Sequence, residues 1–482
     1  MQITTILKIL GAFLMLFSGS MLPPIGVALA YGDGGETAFL GAFIVTLMCG
    51  FFIWLPFRQQ RKELKTRDGF LVVVLFWCVL SLFGAFPLFW AIKPDLNFTD
   101  AMFESVSGLT TTGSTILVGI DNLPHAIRFY RQELQFLGGM GIIVLAIAIL
   151  PMLGVGGMQL YRAEMPGPLK DSKLTPRIAE TAKTLWIIYI SITAVCALAY
   201  WAAGMSLFEA ISESFGTVAT GGFSTHDASF AFYDSPVIEL VAVFFMLIGS
   251  MNFFLHFYAM QRFSLRHYWK DEEFRTYLYM LLIATLITST VLWWKGVYSL
   301  PTAMLKSLFN IVSLASTTGF TSAPFSTWPL FLPVLVILMG VLGGCASSSS
   351  GGMKVVRVLL FFKQGVREIR RLIHPKAVLT VKLDQHLIPE HVLQAIWGFI
   401  ALFVGLFVIL VLLLLATGLD LTSAFGAVAA GLTNSGAAIG TIATSMGSLS
   451  VFSKWVLIFA MVAGRLEIFT LLVLFFPSFW RH

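Results

Sequence analysis

A chain of 482 residues that is 57% hydrophobic and 12% charged, with a mean hydropathy of +0.86, excludes a water-soluble globular fold and places the protein among polytopic membrane proteins. The net charge of +6 comes largely from Lys and Arg gathered at 58–67, 162–183, 262–275 and 354–382. That distribution marks cytoplasmic flanks between spans rather than a nucleic-acid surface. Cys49, Cys78, Cys196 and Cys345 sit in apolar runs without CxxC spacing, which reads as small core residues rather than a disulfide or metal set.

In chain order, residues 1–57 hold two leading spans, 9–31 and 38–57, joined by a Gly-rich turn at 32–35. The first is longer than a signal-peptide core of about 7 to 15 residues and lacks an Ala-x-Ala site, so it reads as a retained span. Residues 68–158 form a first unit. A span at 69–92 leads to a capped helix over 97–108, then Thr110, Thr111, Thr112 and Gly113, and the chain returns through 136–153.

The same plan recurs three times. Residues 177–262 use spans 185–203 and 236–258 around a helix opened by Ser206 and Glu209 at capping-box spacing, ending in Val218, Ala219, Thr220 and Gly221. Residues 274–372 place Ser299-Leu300-Pro301 ahead of Ser316, Thr317, Thr318 and Gly319; residues 388–482 place Asp420 ahead of Thr433, Asn434, Ser435 and Gly436. With Gly113, Gly221, Gly319 and Gly436 taken as equivalent, the intervals are 108, 98 and 117 residues. Each interval accommodates two spans and a re-entrant hairpin. The expected fold is an all-α polytopic membrane protein of four pseudo-repeats, each span, pore half-helix, filter loop, span, preceded by two extra spans.

Backbone at membrane depth survives only inside protein or beside a water-filled path. Four half-helices converging on one spot present their partially negative C-terminal ends to it, which favours a cation. The loops add backbone oxygens and Thr or Ser hydroxyls in place of water, with glycine supplying the positive φ that this requires. No carboxylate lies within the four tetrapeptides, whereas a divalent site would want fixed carboxylates. The expectation is therefore a K⁺-like monovalent ion at the sixteen filter positions. Asp100, Glu104, Glu209, Glu213, Asp227 and Asp420 fall near the outer mouth, where they concentrate cations or, for Asp100, Glu209 and Asp420, cap helices.

Two departures from regular spans stand out. The second span of the third unit, expected at 330–341 and 355–362, is interrupted by Gly343, Gly344, Ser347, Ser348, Ser349, Ser350, Gly351 and Gly352. Such a run cannot hold a lipid-facing helix, and reads either as a mobile barrier under the filter or as a tight contact of small residues. Arg465 lies inside the last span, where a charge costs at least about 2.5 kcal/mol. It reads as an electrostatic barrier facing the path, or as a structural partner of Glu467 or of backbone carbonyls. Residues 354–374 make a basic amphipathic helix, either a positive-inside flank or a docking surface for acidic lipid or a cytoplasmic partner.

These motifs, with Gly-Gly-Phe-Ser-Thr-His at 221–226, Tyr-Arg-Ala-Glu-Met-Pro-Gly-Pro at 161–168 and Gly-Arg-Leu-Glu-Ile-Phe at 464–469, give a chain that resembles the TrkH/KtrB branch of the Trk/Ktr/HKT superfamily of K⁺ transporters, TrkH-type sequences most closely. The resemblance covers nearly the whole length. It implies a homodimeric bacterial inner-membrane protein with both termini cytoplasmic, one pore per chain, and K⁺ as the transported ion. It further implies a cytoplasmic TrkA-like regulator carrying NAD or ATP, no organic cofactor in this chain, and a gate formed by 340–353 and Arg465. The sequence departs from the family pattern in the serine run 347–350 and in Thr433-Asn434-Ser435-Gly436, where the family usually pairs two asparagines; K⁺ over Na⁺ selectivity is accordingly expected to be modest.

A K⁺-binding subunit of an ATP-driven pump shares the four-repeat plan but calls for a larger chain. A membrane enzyme using His226 and Asp227 lacks any HExxH or paired-carboxylate grouping. The expectation is a gated potassium-uptake channel or transporter, not an enzyme.

Overall fold

The computed structural model describes residues 1–60, 65–144, 174–262, 264, 266–384 and 386–481. The 161–168 motif and most of the basic cluster at 162–183 lie outside the described residues, as do residues 145–153 of the span expected at 136–153.

Among the described residues, six helices are long and apolar enough to cross a membrane: Ile3–Tyr31, Glu36–Phe57, Arg67–Trp90, Ala182–Ala202, Glu272–Trp294 and Glu390–Leu415. Their outward surfaces carry side chains such as Leu16, Phe52, Ile187, Leu282 and Leu412, all exposed, which suits a hydrocarbon solvent rather than water. Cys78, expected in the core, is also exposed, and Cys49 is half-buried.

Four short helices alternate with these spans: Phe98–Leu109, Leu207–Val218, Leu300–Ala315 and Leu421–Leu432. Local chemistry starts each one. Asn97 Oδ1 accepts the Asp100 N–H at 2.9 Å, Ser206 and Glu209 close a capping box, and Asp420 accepts the Ser423 N–H at 3.0 Å. Ser299 makes no side-chain cap bond, and Pro301 in the first turn needs no partner for its missing N–H. Twelve residues rise about 18 Å, a little over half of a hydrocarbon core about 30 Å thick.

The returning helices differ from expectation. The first starts at His125, well before 136, because Arg131, Gln132 and Gln135 look like exterior loop yet are 1%, 0% and 0% exposed. The break in unit three is not unique. Pro236–Ser250 and Phe253–Gln261 meet at 95°, and Val451–Arg465 and Phe469–Phe475 at 110°. In unit three, helix Leu332–Leu342 ends at Gly343 and helix Val355–Ile373 resumes after an irregular stretch.

Packing divides the interior into two large apolar clusters and a small third one around Val356, Leu360, Val392 and Ile396. One of the large two joins the leading helices with units one and four through residues such as Phe39, Phe103, Leu134, Leu457 and Met461; the other joins units two and three through Tyr189, Phe230, Phe309 and Leu332.

Candidate functional site

Each half-helix ends in the same way. The N–H groups of Thr112, Gly221, Thr318 and Ser435 donate to the carbonyls of Ser107, Gly216, Ser313 and Ala430 at 2.8, 2.8, 2.8 and 3.0 Å. The preceding residues, Thr111, Thr220, Thr317 and Asn434, are left-handed at φ 52°, 51°, 57° and 54°. For a non-glycine residue that conformation costs roughly 1–2 kcal/mol, so four repetitions mark a geometry imposed by the whole assembly.

The pattern also corrects the register of unit two. The left-handed glycines are Gly113, Gly222, Gly319 and Gly436; Gly221 stands one place earlier, level with Thr112, Thr318 and Ser435. Val218, expected as the first loop residue, is the last residue of its helix. Gly-Gly offered two candidates, and the sequence alone could not choose between them.

A Cβ on Gly113 would overlap the Gly221 carbonyl oxygen, one on Gly222 that of Thr318, one on Gly319 that of Ser435, and one on Gly436 that of Thr112. Each loop therefore abuts the next, and the fourth abuts the first. The four glycines open on one cavity of about 330 Å³, bordered by Thr115, Arg131, His226 and Asp227. The loops share a common centre.

Behind the ring, hydroxyls pair in three units: Thr110 with Thr112 at 2.8 Å, Ser316 with Thr318 at 2.7 Å, and Thr433 with Ser435 at 2.9 Å. Unit two has Ala219 and Gly221 there and no hydroxyl. Gln135 fills the gap from the helix His125–Val144, its Nε2 donating to Gly221 O at 2.6 Å and its Oε1 accepting the Phe223 N–H at 3.1 Å. A second substitution lies beside it. Ser107 and Ser313 donate to the carbonyls of Ser114 and Phe320 at 2.6 and 2.7 Å, whereas Gly216 has no side chain, and Gln132 Nε2 donates to Phe223 O at 2.5 Å instead. Both glutamines escaped the sequence reading. The available signal was buried-type spacing of polar residues at 131, 132 and 135 just ahead of an apolar run.

The acidic residues of the mouth are largely committed. Glu104 takes the Arg131 guanidinium at 2.7 Å, and Asp100 pairs with Lys454 at 2.6 Å. Glu213 accepts Ser224 Oγ, Thr225 N–H and Thr225 Oγ1, all at 2.8 Å. Asp227 accepts the Gly119 N–H at 3.0 Å. His226 is held between Asp121, at Nδ1, and Glu209, at Nε2 and 2.9 Å.

Directly against the inner side of the ring lies the unwound stretch of unit three. Gly351 N–H donates to Thr317 Oγ1 at 2.7 Å and Gly352 N–H to Thr433 O at 2.9 Å. Ser349 Oγ lies 3.0 Å from Val218 O and 2.9 Å from Gly249 O, and accepts from Thr220 Oγ1 at 3.3 Å. Arg465, 3% exposed, donates to Ser349 O at 2.9 Å and to Gly138 O at 3.4 Å. Glu467 does not pair with it, because Glu467 binds Arg357 at 2.5 Å. Lys354 Nζ joins Arg465 on the same stretch through Ser350 O. Gly343, Gly344, Ser347 and Ser348 complete the stretch; Glu273 accepts N–H groups at its two ends, Ala346 at 2.7 Å and Val356 at 3.0 Å. In the sequence Lys354 reads as the start of the basic helix 354–374, and Glu273 is not singled out.

The chain matches the family described as TrkH, cation transport protein, over residues 35–481. It is 53% identical to the Trk system potassium uptake protein TrkH of Salmonella typhimurium over 100% of both chains, and 40% identical to the Trk system potassium uptake protein TrkG of Escherichia coli over 98% of this chain and 97% of that one. The crystal structure of the potassium transporter TrkH from Vibrio parahaemolyticus superposes with a TM-score of 0.93, at 50% identity and 100% coverage of both chains.

Proposed function

The chain belongs to the TrkH family of cation transport proteins, and from that premise we propose that it takes up potassium through the ring of four loops. It is a transporter and not an enzyme. The observation that carries the pore reading is the closed cycle of contacts from Gly113 to Gly221, Gly222 to Thr318, Gly319 to Ser435 and Gly436 to Thr112. A cycle of neutral oxygens replaces the hydration shell of a weakly hydrated monovalent ion and releases it again. The filter is assigned to Thr110–Gly113, Ala219–Gly222, Ser316–Gly319 and Thr433–Gly436, within repeats spanning 68–158, 177–262, 274–372 and 388–482.

The stretch 343–352 and Arg465 form the gate. Support comes from their place against the inner face of the ring, where Arg465 Nη1 and Lys354 Nζ bond adjacent carbonyls. The helix Val355–Ile373 continues from that stretch and ends with Arg370 and Arg371. A cytoplasmic TrkA-like regulator carrying NAD or ATP, acting on that helix, would move the gate directly. The homodimer, the bacterial inner membrane and cytoplasmic termini rest on the family likeness.

The corrected register supplies the test. Gly222→Ala puts a Cβ into the Thr318 carbonyl oxygen at φ 79°, whereas the nearest atoms to a Cβ on Gly221 belong to the Gln135 side chain, so Gly221→Ala disturbs that brace without overlapping the neighbouring loop's backbone. K⁺ and Na⁺ flux into proteoliposomes should show discrimination lost in Gly222→Ala and only reduced in Gly221→Ala. The reverse order would overturn the assignment.

A further inference from the structure

Unit one carries a second cavity that the ion path does not use. It lies between the first leading helix, the Thr66–Trp90 span, the helix His125–Val144 and Trp186, and it holds about 390 Å³. Phe13, Phe17 and Phe76 give it an apolar wall, and Leu109 also lines it. Three polar side chains line it: the Ser20 hydroxyl donates to the Phe17 carbonyl at 2.7 Å, whereas Glu133 Oε2 and Trp77 Nε1 are both buried without a hydrogen-bond partner among the described residues. Glu133 is 7% exposed and Trp77 1%. At the rim, Leu16 is 72% exposed and Trp186 36%, so the mouth faces hydrocarbon.

An ionisable group inside a membrane span without a partner marks a functional site by default. The two unsatisfied atoms have opposite needs, since an indole N–H only donates and a carboxyl oxygen accepts. A hydroxyl answers both. Water alone fits poorly along its aromatic wall, because a water needs about two to four polar partners and the free ones belong to Glu133 and Trp77. A guest entering past Leu16 comes from the acyl-chain region and must be uncharged and mostly apolar.

We propose that this cavity binds an uncharged single-chain alcohol from the bilayer, its hydroxyl placed at Glu133 and Trp77 and its chain along Phe13, Phe17 and Phe76. The site has a route to the ring. Leu109 is the residue before Thr110, and the Trp77 ring lies 5.8 Å from the Arg465 guanidinium.

Photolabelling tests the proposal on the purified full chain in nanodiscs, with an octanol that carries a diazirine on its chain. Saturable labelling within 13–20, 72–80 and 133–141, displaced by 1-octanol and not by n-octane, is the expected result. Leu16→Trp blocks the mouth from an exposed position and should lower labelling about tenfold, as should Glu133→Leu; Glu133→Gln keeps a hydrogen-bonding head and should label like the parent chain. Labelling scattered over the lipid-facing surface, displacement by octane as effective as by octanol, or full labelling of Leu16→Trp would each overturn it.

Discussion

At the scale of single residues, Gln135 and Gln132 show how an asymmetric chain builds a fourfold site. Unit two lacks the hydroxyls that brace its counterparts, and a neighbouring helix lends two carboxamides instead. Leaving the Gly221 carbonyl and Phe223 N–H unpaired costs about 1–3 kcal/mol each. Gln135→Leu should therefore lower the thermal unfolding midpoint and reduce K⁺ over Na⁺ flux, and unaltered ion ratios in a destabilised variant would confine Gln135 to folding. His226 makes a different kind of brace. Burial opposes its charge, but the bonds to Glu209 and Asp121 outweigh burial and raise it above the ordinary value near 6.5. The His226 bond, against partial burial, holds Glu209 down to about 2. Because the imidazole is raised, its stabilisation is complete below about pH 6.5 and lost as pH climbs through the folded value; the Glu209 share disappears only as pH falls towards about 2. Unfolding midpoints should decline above neutral pH in the parent chain, and His226→Gln should remove that decline.

At the scale of elements, the unwound stretch of unit three is bonded to three of the four loops or their helices, through Val218, Thr220, Thr317 and Thr433. Among its serines, Ser349 bonds the second loop and the end of its helix directly, so the run is more than a spacer. Arg465 holds it through the Ser349 carbonyl and is itself held by the Gly138 carbonyl and over the Trp77 ring, with its Nε unpartnered among the described residues. Arg465→Ala removes a buried charge beside the ring and frees Ser349 O, and if Arg465 faces the ion path as proposed, cation flux in proteoliposomes should rise; equal or lower flux in a folded variant would make Arg465 a strut. The half-helices, their caps and the break at Gly343 were legible because each is written in local chemistry: Asn97, Ser206 and Asp420 at N-caps, and a glycine and serine run within an apolar span. The bends after Ser250 and Arg465 were not legible. Met251-Asn252 and Leu466-Glu467-Ile468 contain no glycine or proline, and positive φ at Glu467 and Ile468 is imposed by packing. The register of unit two and the roles of Gln132 and Gln135 were hidden for a related reason, since they depend on contacts between units.

At the scale of the molecule, two large apolar clusters meet around one ring, and the junctions between neighbouring units are of different kinds. Units one and two meet through Arg131, Gln132 and Gln135 on the 221–224 backbone. Units three and four meet through Arg357 and Glu467. Two further junctions carry half-buried ion pairs on a half-helix: Lys454 of unit four on Asp100 of the first half-helix, and Glu239 of unit two on Lys306 of the third, each at 2.6 Å. Each pair ties a returning helix to the half-helix of the next unit, so it fixes the angle at which that half-helix approaches the ring. Removing one partner of such a pair leaves a poorly hydrated charge and costs about 3 kcal/mol, much more than the pair itself contributes. Asp100→Lys and Lys454→Asp should each lower the unfolding midpoint and degrade K⁺ over Na⁺ discrimination, and the double exchange should recover both, because the charges again face one another. A double variant no better than either single one would mean that the ring keeps its shape without these ties. The same exchange at Glu239 and Lys306 should recover in parallel if the ring is held evenly from both clusters, and recovery at only one junction would show which half of the molecule sets the geometry of the ring.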